Sequence, residues 1–134
     1  MGLDVGEKRI GISVSDLLHI TAQGLENYQR KGTEQADFEF FKALIKEKNV
    51  NLIVCGNSLN MNGSFGPQAE KVKAFGDALS AYCETPITYW DERLTSMEVE
   101  KIMIDADVSR KRRRQVTDML ASMRILQSYM DAHS

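Results

Sequence analysis

The 134-residue chain is 43% apolar and 27% charged with a formal net charge of -2, enough to bury one core and too short for two domains, so residues 1–134 read as a single domain. No run of about 18 apolar residues exists, and the N-terminus lacks the charged-then-apolar order of a secretory signal, which argues against membrane spanning and export and for a cytoplasmic protein. Two cysteines, Cys55 and Cys83, stand out of metal or redox spacing beside two histidines, His19 and His133, which argues for reduced, packed thiols and against a zinc site.

Residues 1–5 read as a short strand, GEKR as a turn, and RIGISVSD as a half-buried strand in which Ile10, Ile12 and Val14 alternate with Gly11, Ser13 and Ser15. A weaker third strand runs through HITAQGLENY, completing an antiparallel meander. The period then changes. In TEQADFEFFKALIKEK, residues Phe38, Phe41, Leu44 and Ile45 fall at helical spacing behind Thr33 as N-cap.

VNLIVCG is a near-continuous apolar run that suits an interior parallel strand, and NSLNMNGSFG is a loop by composition. Pro67 opens a second helix carrying Ala69, Val72, Phe75, Leu79 and Tyr82, and Pro86 leads into the strand ITYWD. TSME reads as the capping box of a third helix through Val99, Ile102 and Met103. A basic loop, SRKRRRQ, follows, and the chain ends in a helix from about Val116 to Met130.

This order describes an α/β domain with a five-stranded mixed sheet, a three-strand antiparallel meander followed by parallel strands, flanked by about four helices. In such sheets functional groups gather at the carboxyl ends of the parallel strands. Asp4 ends the first strand, and Asp91 with Glu92 ends the last, so these acids belong at one edge of the sheet.

The last helix offers a third acid. Val116, Met119, Leu120, Met123, Leu126 and Met130 form one apolar face, and Ala121, Ile125, Tyr129 and Ala132 a second row in which Asp118 falls. A carboxylate on an apolar row needs a partner. It either caps the first turn, where acids favour the helix N-terminus, or joins a metal site. Asp4 has a plain alternative of its own, an Asx-type turn into a hairpin.

If Asp4, Asp91 or Glu92, and Asp118 meet, their repulsion calls for cations between them, and oxygen-only ligands favour Mg²⁺ or Mn²⁺. A pair of such ions about 3.5–4 Å apart would clamp the attacking and leaving oxygens of a phosphodiester. Gly2 and Gly6 would then give a phosphate backbone room to approach. The pI of about 5.7 speaks against general nucleic-acid binding, but Arg110, Lys111, Arg112, Arg113 and Arg114 concentrate positive charge in five successive positions. That run is either a solvated loop or a holder of phosphates that carries no sequence information.

GLDVGEKRIGISVSD, SLNMNGSFGPQAE, WDERLTSMEVE and VTDMLASMRILQSYMD, spread over essentially the whole chain, resemble the YqgF family of RNase H-like proteins. Its members are described as Holliday junction resolvases and as nucleases that mature the 5′ end of pre-16S rRNA. The resemblance implies an RNase H-like fold, a metal-dependent endonuclease acting on pre-rRNA or branched DNA, and an active site built from Asp4, Asp91 or Glu92, and Asp118, with Asp4, Glu92 and Asp118 as ligands of two Mg²⁺ or Mn²⁺ ions. Asn60, Asn62, Ser64 and Arg93 become candidate substrate contacts beside Arg112, Arg113 and Arg114, while Thr95 reads as a helix cap.

Two departures stand out. Asn57 and Ser58 replace an apolar residue and a proline, and only Met1 precedes Gly2 where the family carries a few residues more, so a start a little upstream is expected. Actin-like ATPases and sugar kinases share the opening motif but enclose nucleotide between two such domains. A binding module that has lost its chemistry is the third class, against which the three acidic positions speak. The Met stripe of the last helix reads as core, giving a monomer or a weak homodimer.

Overall fold

The computed structural model describes residues 1–16, 21–57, 67–91 and 110–133, of which 110–118 by backbone alone. Strands β1 (Gly2–Val5), β2 (Arg9–Ser15), β3 (Ala22–Gln29), β4 (Ile53–Asn57) and β5 (Ile87–Asp91) form one sheet in the order β3-β2-β1-β4-β5. β1 and β2 pair antiparallel, as do β2 and β3, while β4 pairs parallel with both β1 and β5. This is the expected meander followed by parallel strands. The third strand begins at Ala22, and His19 and Ile20 of its expected start lie outside the described residues.

Helices α1 (Glu34–Lys48) and α2 (Pro67–Cys83) cover one face of the sheet. Strand alternation turns Leu3, Ile10, Ile12, Ile53 and Cys55 toward them, against Phe38, Phe41, Leu44, Ile45, Val72, Phe75 and Leu79. Phe41 is fully enclosed, and each side chain of this kind contributes about 1.5–3 kcal/mol by leaving water. The ends of α1 are closed by its own sequence. Thr33 Oγ1 accepts the Ala36 N–H at 3.3 Å, and Asn49 turns left-handed at φ 54° to stop the helix.

The opposite face carries α3 (Arg110–Ala132) and is built differently. Here β1 and β2 present Gly2 and Ser13, so the helix comes very close. A Cβ on Gly2 would lie 2.6 Å from Ser13 Oγ and 2.8 Å from both Leu126 Cβ and the Ser122 carbonyl oxygen. Gly2 is therefore the seat of α3, and the space expected for a phosphate backbone is filled. Gly6 likewise serves its turn, since a Cβ there would meet the Arg9 carbonyl at 2.8 Å.

Polar contacts fasten the helix. Ser13 Oγ donates to the Ser122 carbonyl at 2.9 Å, Gln127 Oε1 accepts the Ala22 N–H at 2.9 Å, and Trp90 Nε1 donates to Ser128 Oγ at 2.9 Å. A small apolar cluster of Val54, Ile125 and Leu126 completes the contact, with Trp90, Tyr129 and Met130 at its margin. Met119 and Met123 reach β3 over Gly24, where a Cβ would stand 2.8 and 2.9 Å from their sulfurs. At these two positions the Met stripe is intramolecular packing, as expected.

The sequence places a loop over SRKRRRQ and a helix start near Val116, whereas α3 begins at Arg110. The reason is physical: Arg and Lys are good helix formers, and a turn without apolar residues leaves no mark on hydrophobic periodicity. The helix expected through Val99, Ile102 and Met103, with its TSME cap, lies outside the described residues, as does the loop 58–66.

Candidate active site

Asp4 lies in the second half of β1, half-buried, two residues beyond Gly2 and hence on the α3 face. Its partner across the antiparallel ladder is Gly11, and Gly56 follows one step after the Leu3–Cys55 pair on the parallel side. Both strand neighbours of Asp4 are thus positions without side chains.

The direction of α3 brings a second acid to the same level. Along β3, Ala22 meets Gln127 and Gly24 meets Met119 and Met123, so the helix runs opposite to β3 and therefore to β1. Gly2 touches Ser122 and Leu126. Two strand residues further, about 6.7 Å, is Asp4, and one turn back from Ser122, about 6 Å along the helix, is position 118. The backbone thus brings the helical turn that holds position 118 to about the level of Asp4.

Asp91 reaches the same end of the sheet but not the same face. It lies two residues beyond Tyr89, whose hydroxyl is 2.7 Å from Asp77 Oδ1 and 2.9 Å from the Lys73 carbonyl on α2, and it pairs with Asn57. Trp90, between them, turns to Ser128 on α3. Strand alternation therefore puts Asp91 on the α1–α2 side, across the sheet from Asp4. The departure at Asn57 is buried there, with Nδ2 donating to the Ala69 carbonyl at 3.5 Å near the start of α2.

Glu92, Arg93, Asn60, Asn62 and Ser64 lie outside the described residues, as do the side chains of Asp118, Arg112, Arg113 and Arg114. The backbone places those three arginines in the opening turns of α3, and no acid accompanies them in its first turn. Cations at the positive end of a helix are unfavourably placed. An anionic partner would relieve that repulsion. Among the described residues no group of three carboxylate, imidazole or thiol side chains is assembled for a metal.

Sequence reasoning missed a buried polar network behind the β1–β2 turn. Asp37, 1% exposed, receives Arg30 Nε on Oδ2 at 2.9 Å and the Tyr28 hydroxyl on Oδ1 at 2.9 Å, with the Lys31 N–H at 3.2 Å. Burial and the Asp37 acceptor push the Tyr28 hydroxyl up to about 12. The available signal was the spacing of Asp37 with Phe41 and Leu44, which puts an acid on the inner face of α1.

A parallel-antiparallel sheet in this order, helices on both faces and an acid at the end of β1 define an RNase H-like α/β domain. The fold matches RuvC of Thermus thermophilus in complex with a Holliday junction substrate, with a TM-score of 0.65 over 98% of this chain and 92% of that one, at 9% identity. The family model described as "RuvX: Holliday junction resolvase" matches residues 1–132, and the chain belongs to this family. Relatives named "Putative pre-16S rRNA nuclease" include one from Clostridioides difficile, 50% identical over 98% of this chain and 92% of its own length, and one from Halalkalibacterium halodurans, 51% identical over 98% and 94%. The resemblance carried by the four motifs is thereby confirmed at the level of family and fold.

Proposed function

We propose that this chain is a metal-dependent endonuclease that hydrolyses phosphodiester bonds and processes the 5′ end of pre-16S rRNA. The observation that carries the reading is that the β1–α3 contact brings the turn holding position 118 to about the level of Asp4. Asp4, Glu92 and Asp118 would hold two Mg²⁺ or Mn²⁺ ions, and Asp91, on the far face, would not. Carboxylate oxygens beside glycine positions suit such hard cations.

When bound, the ions supply charge neutralisation at the scissile phosphate and a water of lowered pKa. The chain's own contribution is geometric. A sheet and a helix seated on Gly2 fix the backbone at Asp4 and at position 118, and Arg112, Arg113 and Arg114 would hold the substrate through phosphates. Asn60, Asn62, Ser64 and Arg93 are proposed as further substrate contacts, and the protein is proposed to act in the cytoplasm as a monomer or weak homodimer. No helix among the described residues is long and apolar enough to cross a membrane.

The family description supports one other substrate, the four-way DNA junction. The test is cleavage of a pre-16S rRNA 5′-leader fragment beside such a junction, in Mg²⁺ or Mn²⁺ and in chelator, with Asp4→Asn as control. Metal-dependent cutting of the RNA that the variant loses is the expected result. Cutting of the junction alone moves the enzyme to recombination, and tight binding without any cleavage makes it a binding module.

Replacing Arg112, Arg113 and Arg114 by Ala is expected to flatten the salt dependence of RNA binding, by about 0.7–0.9 in log–log slope for each phosphate no longer neutralised. Binding titrations between low and moderate salt measure it. An unchanged slope returns the run to a solvated helix end.

A further inference from the structure

We propose that Arg30 is a positioning residue for Asp4, acting through the turn that follows it; the proposal rests on the nuclease reading of Asp4. β1 ends at Val5, and the chain reverses through residues 6–8 into β2, with the Gly6 N–H donating to the Arg9 carbonyl at 2.8 Å. On the α1–α2 side of this turn lies a cavity of about 350 Å³ whose lining includes Val5, Gly6, Glu7, Lys71 and Phe75. Among the described residues, packing beneath the turn is therefore incomplete on that side.

Arg30 crosses the gap. Its Nη1 donates to the Gly6 carbonyl at 3.1 Å, its Nε donates to Asp37 Oδ2 at 2.9 Å, and its guanidinium lies 4.7 Å from the centre of the Phe75 ring. Its backbone N–H donates to the Lys8 carbonyl at 2.9 Å, so the same residue grips the turn twice. The far end is fixed as well, because Asp37 is buried on α1 and also receives Tyr28 and Lys31.

α1, α2 and the end of β3 thus converge on one carbonyl two residues from Asp4. The planar fork is what makes this possible: a guanidinium donates in two directions at once, whereas a lysine ammonium is a compact point charge on a flexible stem. A displacement of about 1 Å at a reacting group can cost about 10²-fold in rate. A turn free to shift over its cavity would produce displacements of that kind.

The test compares Arg30→Lys, Arg30→Gln, Tyr28→Phe and Asp4→Asn in metal-dependent cleavage, read as kcat, KM and the Mn²⁺ concentration for half-maximal rate. Each variant is assayed at a temperature where circular dichroism shows it folded. Both Arg30 variants are expected to lose about 10-fold or more in kcat and to need more Mn²⁺, with KM unchanged. Tyr28→Phe removes a bond to the same Asp37 carboxylate but spares Gly6, and is expected to lower Tm while keeping kcat and the Mn²⁺ requirement.

Arg30 variants with unaltered kcat and Mn²⁺ requirement overturn the proposal, as does a Tyr28→Phe loss of kcat matching theirs. Failure of both Arg30 variants to fold even in the cold makes Arg30 purely structural and overturns it too. Asp4→Asn separates the two claims: full activity there sinks the nuclease reading itself, whereas an inactive Asp4→Asn beside active Arg30 variants sinks only the role of Arg30.

Discussion

The two faces of the sheet are built on opposite principles. Toward α1 and α2 the strands present Leu3, Ile10, Ile12 and Ile53 to a layer that includes Phe38, Phe41 and Phe75. Toward α3 they present Gly2, Ser13 and Val54, and the helix answers with Ser122, Ile125 and Leu126. The first face holds the fold together by volume. The second brings backbones close and fixes their register by hydrogen bonds, with Asp4 on the same face two residues beyond Gly2.

That difference explains what could be read from residues alone. Strands β1, β2, β4 and β5 and helices α1 and α2 are legible from apolar residues that alternate, run together or recur at the helix period, and this is the face they build. The start of α3 is not legible, since Arg110–Arg114 form helix without apolar marks. Gly2 misleads for a related reason. A glycine beside a carboxylate suggests ligand access, and only the tertiary contact shows Ser122 and Leu126 filling the space.

The candidate site was legible only as a set of positions. Asp4 and Asp118 stand out by sequence position, but the choice between Asp91 and Glu92 depends on the phase of β5, which adjacent residues in a sequence do not disclose. The phase is set by Trp90 turning to Ser128 and Tyr89 turning to α2. Arg30 and Asp37 escaped because a buried ion pair breaks the apolar pattern that sequence reading follows.

If the faces divide function from stability, substitutions should sort accordingly. The largest effect is expected for Asp118→Asn, which should reduce metal-dependent cleavage by at least about 10²-fold, the scale of a single catalytic group, with little change in Tm. A large loss of Tm with activity kept would make Asp118 a cap. Phe41→Ala, on the other face, should cost about 3–5 kcal/mol in urea unfolding, while the fraction that remains folded cleaves at the usual rate.

Gly2→Ala tests the seat of α3. Its new methyl meets the Ser122 carbonyl, which is backbone and yields little, so a loss of about 1–3 kcal/mol is expected, together with reduced cleavage because the helix carrying position 118 is pushed away. Equal activity at lower stability would uncouple the β1–α3 contact from the site.

The central claim is that one face of the sheet, and not merely one end, assembles the acids. Mn²⁺ titration followed by electron paramagnetic resonance, on the unaltered chain and on Asp4→Asn, Glu92→Gln, Asp118→Asn and Asp91→Asn, tests it most directly. Loss of Mn²⁺ affinity in the first three variants and its retention in Asp91→Asn is the predicted result. Loss in Asp91→Asn with retention in Glu92→Gln would contradict the assignment of the site to the α3 face.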